Sequence, residues 1–102
     1  MSKVYGYCRV AFADEEEMAK QVELVDRYCR MHGLVIDRHF CDNGASGLVL
    51  NREELNHMFD ILQKGDVIVT KDIARLSRSI YECITLTELI EKMGVILLLI
   101  NQ

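Results

Sequence analysis

Five cationic side chains stand near the ends of the β-rich runs in this sequence: Arg9, Arg52, Lys71, Arg75 and Arg78. Guanidinium groups suit a phosphate ester, because a planar fork donates two parallel hydrogen bonds to its oxygens. The chain is acidic overall, with 12 Lys and Arg against 16 Asp and Glu and a net charge of −4. Gathering cations at one edge of such a protein carries a desolvation cost that a bound oligoanion would offset. Arg75 and Arg78, three apart, are expected on one side of a helical turn, where both could hold the same group. The competing reading is that these residues pair with Asp42, Glu53, Asp66 and Asp72, or are simply solvated.

Cys8, Cys29, Cys41 and Cys83 form neither a CxxC pair nor a dense secreted scaffold. With the histidines, the nearest metal-like arrangement is Cys29-x-x-His32 followed by His39-x-Cys41. Its spacing is irregular, and Cys29 falls on a helix stripe that reads as core. No metal and no cofactor are expected.

The elements that must position these side chains come from a chain of 102 residues, half of it apolar and 27% charged. That is enough for one compact domain with its own core. The acidic balance excludes a histone-like polycation. The longest apolar run, 95–100, is far too short for a membrane span, and the start lacks an apolar signal core. The expected location is cytoplasmic, with no membrane partner.

Residues 3–10 read as a strand whose period of two sets Tyr5, Tyr7, Arg9 and Ala11 on one face and Val4, Gly6, Cys8 and Val10 on the other. Residues 14–32 read as a helix with Met18, Val22, Val25 and Cys29 on one stripe and acids in the first turn. Gly33 stops it, and 34–40 reads as a second strand. Residues 42–50, with Asn43-Gly44 and Ser46-Gly47, read as a loop. Asn51 with Glu54 resembles a capping box before a helix whose inner stripe is Leu55, Met58, Phe59 and Leu62. Strands follow at 67–70 and 95–100, with a helix from Ser79 to about Lys92 between them. Three strand–helix–strand repeats imply right-handed crossovers and a three-layer α/β fold, a mostly parallel four-stranded sheet with helices on both faces. Ligands of such sheets sit beyond the carboxyl ends of the strands, at 11–13, 42–50 and 71–78.

Several segments closely resemble the serine site-specific recombinases, the resolvase/invertase family that includes the large serine integrases and transposon recombinases. They are Tyr5-Gly6-Tyr7-Cys8-Arg9-Val10, Gln21, Phe40-x-Asp42-x-Gly44-Ala45-Ser46-Gly47 with Arg52 and Leu55, Gly65-Asp66-Val67-Ile68-Val69, and Arg75-Leu76-Ser77-Arg78-Ser79. The resemblance covers essentially the whole chain and implies a resolvase-like α/β catalytic domain acting in site-specific DNA cleavage and exchange. In that family a serine directly after the Arg-Val pair attacks a DNA phosphodiester and forms a 5′-phosphoserine link, and four subunits assemble to exchange strands. Carried over by position, the resemblance makes Arg9, Arg75 and Arg78, with Arg52, a phosphate clamp. Tyr7, Gln21, Asp42 and Ser46 match supporting positions. Fixed guanidinium groups would stabilise the charge that builds on phosphorus oxygens during in-line displacement.

The sequence departs from the family at three places. Ala11 stands where the nucleophilic serine belongs, and a methyl group has no lone pair to attack phosphorus. Ser46, Ser77, Ser79 and Cys8 are nearby oxygens and sulfur, but Cys8 points to the opposite strand face, Ser77 belongs to the arginine motif and Ser79 reads as a helix cap. Ala74 replaces an aspartate common in the family before Arg75, and Asp72 is no obvious substitute. The chain ends directly after the fourth strand, so 1–102 is expected to be a truncated catalytic domain without the family's dimerisation helix or DNA-binding domain. Contact with DNA phosphates is therefore expected to be weak for this chain alone. The leading expectation is a catalytically inactive recombinase domain. The alternative is a non-catalytic interaction module that forms a homo-oligomer, or a hetero-oligomer with a longer recombinase. Its apolar stripe would be Ile80, Cys83, Ile84, Leu86, Leu89, Ile90 and Met93. A third reading is an unrelated α/β domain that binds a nucleotide or phosphorylated metabolite.

Overall fold

The structure, a computed structural model, describes residues 2–44 and 52–101. Strands β1 (Val4–Val10), β2 (Arg38–Asn43), β3 (Val67–Thr70) and β4 (Ile96–Leu99) form one sheet in the order β2-β1-β3-β4. Every pairing is parallel. The strands are linked by α1 (Glu15–Met31), α2 (Glu53–Ile61), α3 (Ile73–Leu76) and α4 (Ile80–Lys92). The chain steps from β1 outward to β2, then crosses back to β3 on the other side of β1. The carboxyl ends of β1 and β3 therefore flank the point where the strand order reverses, the crevice in which parallel α/β sheets bind ligands.

Central β1 is covered on both faces, as its alternation requires. Tyr5 and Tyr7 pack with Phe40, Ile68 and the inner residues of α2 to α4, namely Leu55, Met58, Leu76, Leu86 and Ile90. The Tyr5 and Phe40 rings meet edge to face at 5.6 Å. Val4 and Cys8 face the other way, into a core made with Val69 and the α1 residues Met18, Val25 and Cys29. Each fully buried aliphatic side chain of these clusters contributes about 1.5–3 kcal/mol. Gly6 has no room for a side chain, since a Cβ there would lie 2.6 Å from His39 Nδ1 and 3.0 Å from Val25 Cγ1.

Helix α1 begins where the sequence says it should. The Asp14 carboxylate accepts from the Glu16 and Glu17 amides, and three acids occupy the first turn. It ends through Gly33 at φ +68°, after which the Leu34 amide returns to the Cys29 carbonyl at 2.8 Å.

Four expectations are corrected. The second strand spans Arg38–Asn43 rather than 34–40. Leu34 and Ile36 pack against the α1-side core instead of joining the ladder, and pairing starts only where Arg38 meets Tyr5. The capping box falls partly on Asn51, outside the described residues. Helix α2 is capped by tertiary contact instead, for Asp42 of β2 accepts from the Glu54 and Leu55 amides at 3.0 and 3.1 Å. The helical turn expected to carry both Arg75 and Arg78 is α3, which spans Ile73–Leu76 and stops there, so the two arginines do not share it. Ser77 is extended, and its hydroxyl accepts from the Ser79 amide at 3.0 Å while donating to Glu82 at 2.9 Å. That local bonding diverts the chain into α4, which Ser79 caps. Finally, the fourth strand spans Ile96–Leu99 rather than 95–100, and it lies at the sheet edge, where Ile96 is 52% exposed.

Candidate phosphate-binding site

Arg9, next to last in β1, extends past the strand's final partner in β3, Thr70 opposite Tyr7. There its main chain is held by other elements. Gln21 of α1 accepts from the Arg9 amide at 3.2 Å and donates to its carbonyl at 2.9 Å. Arg75 Nη1 donates to the same carbonyl at 3.1 Å. In return the Arg9 side chain reaches across to α3, with Nε donating to the Arg75 carbonyl at 3.1 Å and Nη2 to the Ala74 carbonyl at 2.7 Å.

Arg52 enters from the start of α2. Its Nη1 donates to the Arg75 carbonyl at 2.8 Å, its Nη2 donates to the Leu76 carbonyl, and its guanidinium lies 5.7 Å over the Tyr7 ring. Arg9 and Arg52 are 1% and 3% exposed. Arg75 is half-buried and pairs with Asp72 at 3.2 Å. The Arg9 and Arg52 guanidinium groups thus meet at the carbonyls of 74–76, and that of Arg75 bonds the Arg9 carbonyl, all at the switch point.

The electrostatics follow from that crowding. Burial holds the Arg9 guanidinium below its ordinary value, and the charges of Arg75, Arg52 and Arg78 push it the same way. The nearby carboxylates are committed. Asp72 pairs with Arg75, and buried Asp42 accepts from the Tyr7 hydroxyl at 2.8 Å as well as from the α2 amides. Burial pushes the Tyr7 phenol well above its ordinary value; the Arg52 charge opposes the shift and the Asp42 hydrogen bond adds to it. A wholly buried, neutral phenol that already donates to a carboxylate orients its neighbours and does not attack.

The sequence-derived residues divide as follows. Arg9, Arg52, Arg75, Tyr7 and Asp42 come together, and Gln21 anchors the Arg9 main chain. Arg78 sits on the exposed rim, beside an apolar groove of about 390 Å³ lined by Ile73, Ala74, Ser77, Ile80, Cys83 and Ile84. Lys71 lies on the α1 side, in a shallow depression with Glu17, Lys20 and Arg27, and so leaves the cluster. Ala11 follows directly on β1 and is half-buried. Ser46 lies outside the described residues. Ser77 and Ser79 are engaged in starting α4, and Cys8 faces α1. Sequence reasoning missed the main-chain part of the site. The Arg-Leu-Ser-Arg element was read for its side chains, whereas the carbonyls of Ala74, Arg75 and Leu76 gather the other arginines.

Cys29 lies in the core and the His32 ring stacks on Tyr28. Among the described residues, the ligand-type side chains that cluster are Glu53, Glu54 and His57 on the outer side of α2, within 4.8 Å of one another. No helix among them is long and apolar enough to cross a membrane.

The fold defines a three-layer α/β domain with its candidate site at the sheet's switch point. Comparison with known proteins narrows the class. The family model described as Resolvase, N terminal domain matches residues 4–102, and the chain belongs to this family of serine recombinase catalytic domains. A resolvase of Clostridium perfringens is 32% identical over 89 residues, covering 87% of this chain and 44% of that protein. The Tn917 transposon resolvase of Enterococcus faecalis is 30% identical over 92 residues, covering 90% and 46%. The chain therefore spans less than half the length of these relatives. Among solved structures, the N-terminal catalytic domain of TP901-1 integrase superposes with a TM-score of 0.86 at 20% identity, covering 97% of this chain and 78% of that one. The C-terminal catalytic domain of ISC1926 TnpA, an IS607-like serine recombinase, gives 0.84 at 24% identity, covering 98% and 68%. The resolvase-like fold expected from the sequence is the fold of this protein.

Proposed function

We propose that this chain is the phosphate-holding half of a serine recombinase active site, one that grips a DNA backbone ester but does not cut it. The observation that supports this most directly is the meeting of the Arg9 and Arg52 guanidinium groups at the 74–76 carbonyls, with that of Arg75 on the Arg9 carbonyl and Ala11 at the adjoining end of β1. An entering phosphate would take over donors that now serve the Ala74, Arg75 and Leu76 carbonyls, and Arg78 on the rim would meet it first. Charge-assisted bonds to phosphate are roughly twice as strong as bonds to neutral acceptors, which favours that exchange. Tyr7 and Asp42 keep Arg52 and the start of α2 in place, Gln21 keeps Arg9 in place, and Ser46 belongs to the same supporting group by family position.

Cleavage needs an oxygen that attacks phosphorus, forms the Ser–O–P bond and releases the 3′-hydroxyl. Ala11 supplies none. Removing a nucleophile in this way costs about six orders of magnitude in turnover. The test is incubation with supercoiled DNA carrying a crossover site, followed by denaturation and a search for covalent protein–DNA adducts. The wild-type chain is expected to give none and Ala11→Ser to give some. Adducts with the wild type would overturn the reading of inactivity.

A second reading, an interaction module that pairs with itself or with a longer recombinase, is favoured by a separate observation. Ile80, Tyr81 and Ile84 on α4 are 78%, 85% and 50% exposed beside the apolar groove. It predicts concentration-dependent association in sedimentation experiments, and a protein that stays monomeric with no partner in pull-downs would remove it.

A further inference from the structure

Cys8 and Cys41 face each other across the β1–β2 ladder as register partners. Both lie on the α1 face of the sheet, Cys8 within the core there and Cys41 packed against it. Adjacent parallel strands run about 4.8 Å apart, inside the roughly 4.4–6.8 Å Cα separation that a disulfide spans. Both cysteines are free thiols, Cys8 fully buried and Cys41 open to solvent on one side.

We propose that Cys8 and Cys41 form a peroxide-sensitive dithiol that closes to a disulfide pinning β1 to β2. The division of labour follows from the geometry. Cys41 is the sulfur a small oxidant can reach, and the hydrogen bond it receives from Cys8 holds its thiol below the ordinary value, favouring the thiolate. Cys8 stays protonated, pushed far up chiefly by that same hydrogen bond and then by burial, and it waits as the resolving thiol.

In the first step the Cys41 thiolate attacks one peroxide oxygen, the O–O bond breaks, hydroxide leaves and takes up a proton, and Cys41 becomes a sulfenic acid. In the second, the Cys8 sulfur attacks the Cys41 sulfur, the S–O bond breaks, and the departing hydroxide takes the Cys8 proton to form water. In sum, two thiols and one hydrogen peroxide give one disulfide and two waters; the sulfurs lose two electrons and the peroxide gains them. The bond would sit one residue before both Arg9 and Asp42, tying together the two strands that carry the candidate site. Such a pair is of the transient, oxidant-responsive kind rather than a structural staple. The proposal does not depend on the phosphate reading.

The test treats the full chain with hydrogen peroxide, blocks free thiols under denaturing conditions, and maps the cross-linked peptides by mass spectrometry. The expected result is a mass loss of about 2 Da, a fall from four titratable thiols to two, a single link between the Cys8 and Cys41 peptides, and full reversal by dithiothreitol. Cys41→Ser is expected to lose the link, while Cys8→Ser should stop at a Cys41 sulfenic acid that dimedone traps. Cys83→Ser removes a thiol on α4, across the sheet from the pair, so the link should persist. Four free thiols after peroxide, or a link joining Cys8 to Cys29, would overturn the proposal. If Cys8→Ser does not fold, the peptide map of the wild type and Cys41→Ser decides the matter.

Discussion

Replacing Asp42 with alanine should destabilise the domain by far more than a surface carboxylate would. The side chain is 7% exposed and serves three donors: the Glu54 amide at 3.0 Å, the Leu55 amide at 3.1 Å and the Tyr7 hydroxyl at 2.8 Å. Losing the cap on α2 costs about 1 kcal/mol. Leaving the wholly buried Tyr7 hydroxyl without a partner costs about 1–3 kcal/mol more. The sum, about 2–4 kcal/mol, is a large part of the roughly 5–15 kcal/mol that holds a small domain together. With a urea slope of about 1–3 kcal/mol/M, the unfolding midpoint should fall by about 1–2 M. Asp42→Asn keeps one acceptor oxygen and should lose roughly half as much. The origin of the effect is separable by a double-mutant cycle, because Tyr7→Phe should cost much less in the Asp42→Ala background than in the wild type. A loss below about 0.5 kcal/mol for Asp42→Ala, or additive costs for the two changes, would refute the claim that this carboxylate links β1, β2 and α2.

Gly6→Ala should destabilise by about 1–3 kcal/mol through overpacking, since the new methyl would fall 2.6 Å from His39 Nδ1; thermal unfolding measures it, and adding His39→Ala should recover part of the loss. Stability should also decline at alkaline pH. Tyr7 and Cys8 ionise above their ordinary values of 10.0 and 9.0 in the folded state, so the unfolded chain releases these protons first, and urea midpoints should drop from about pH 9 upward; the lowered Cys41 value instead adds stability as pH rises toward 9. Tyr7→Phe should flatten the part of that decline above pH 10. Arg52→Lys keeps the charge but loses the fork that serves the Arg75 and Leu76 carbonyls. It should weaken oligonucleotide binding by roughly tenfold or more, as read by fluorescence anisotropy at fixed salt, and an unchanged affinity would remove Arg52 from the clamp.

How much of this was legible in the amino-acid order differs between the fold and the site. The alternation of residues in β1, the stripe on α1 with its acidic first turn and Gly33 stop, and the Ser79 start of α4 are local signals. Each arises from steric and hydrogen-bonding preferences of neighbouring residues, and each reappears in the structure. Three strand–helix–strand units then leave few topologies open, because right-handed crossovers are strongly favoured. The arginines could be noticed because charge set against composition is itself a sequence property.

What tertiary structure alone decided is which groups meet. Asp42 caps a helix that begins eleven residues after it, an interaction no capping rule finds, because such rules look only three or four residues along the chain. Arg78 and Lys71 leave the cluster because Ser77 bonds locally into α4 and because Lys71, just past the end of β3, lies on the α1 side. The arginine carriers turn out to be main-chain carbonyls, which every residue possesses and no sequence pattern marks. Pairing of Cys8 with Cys41 likewise needed the register of two strands, since a shift of one residue would have sent one of the sulfurs to the opposite face.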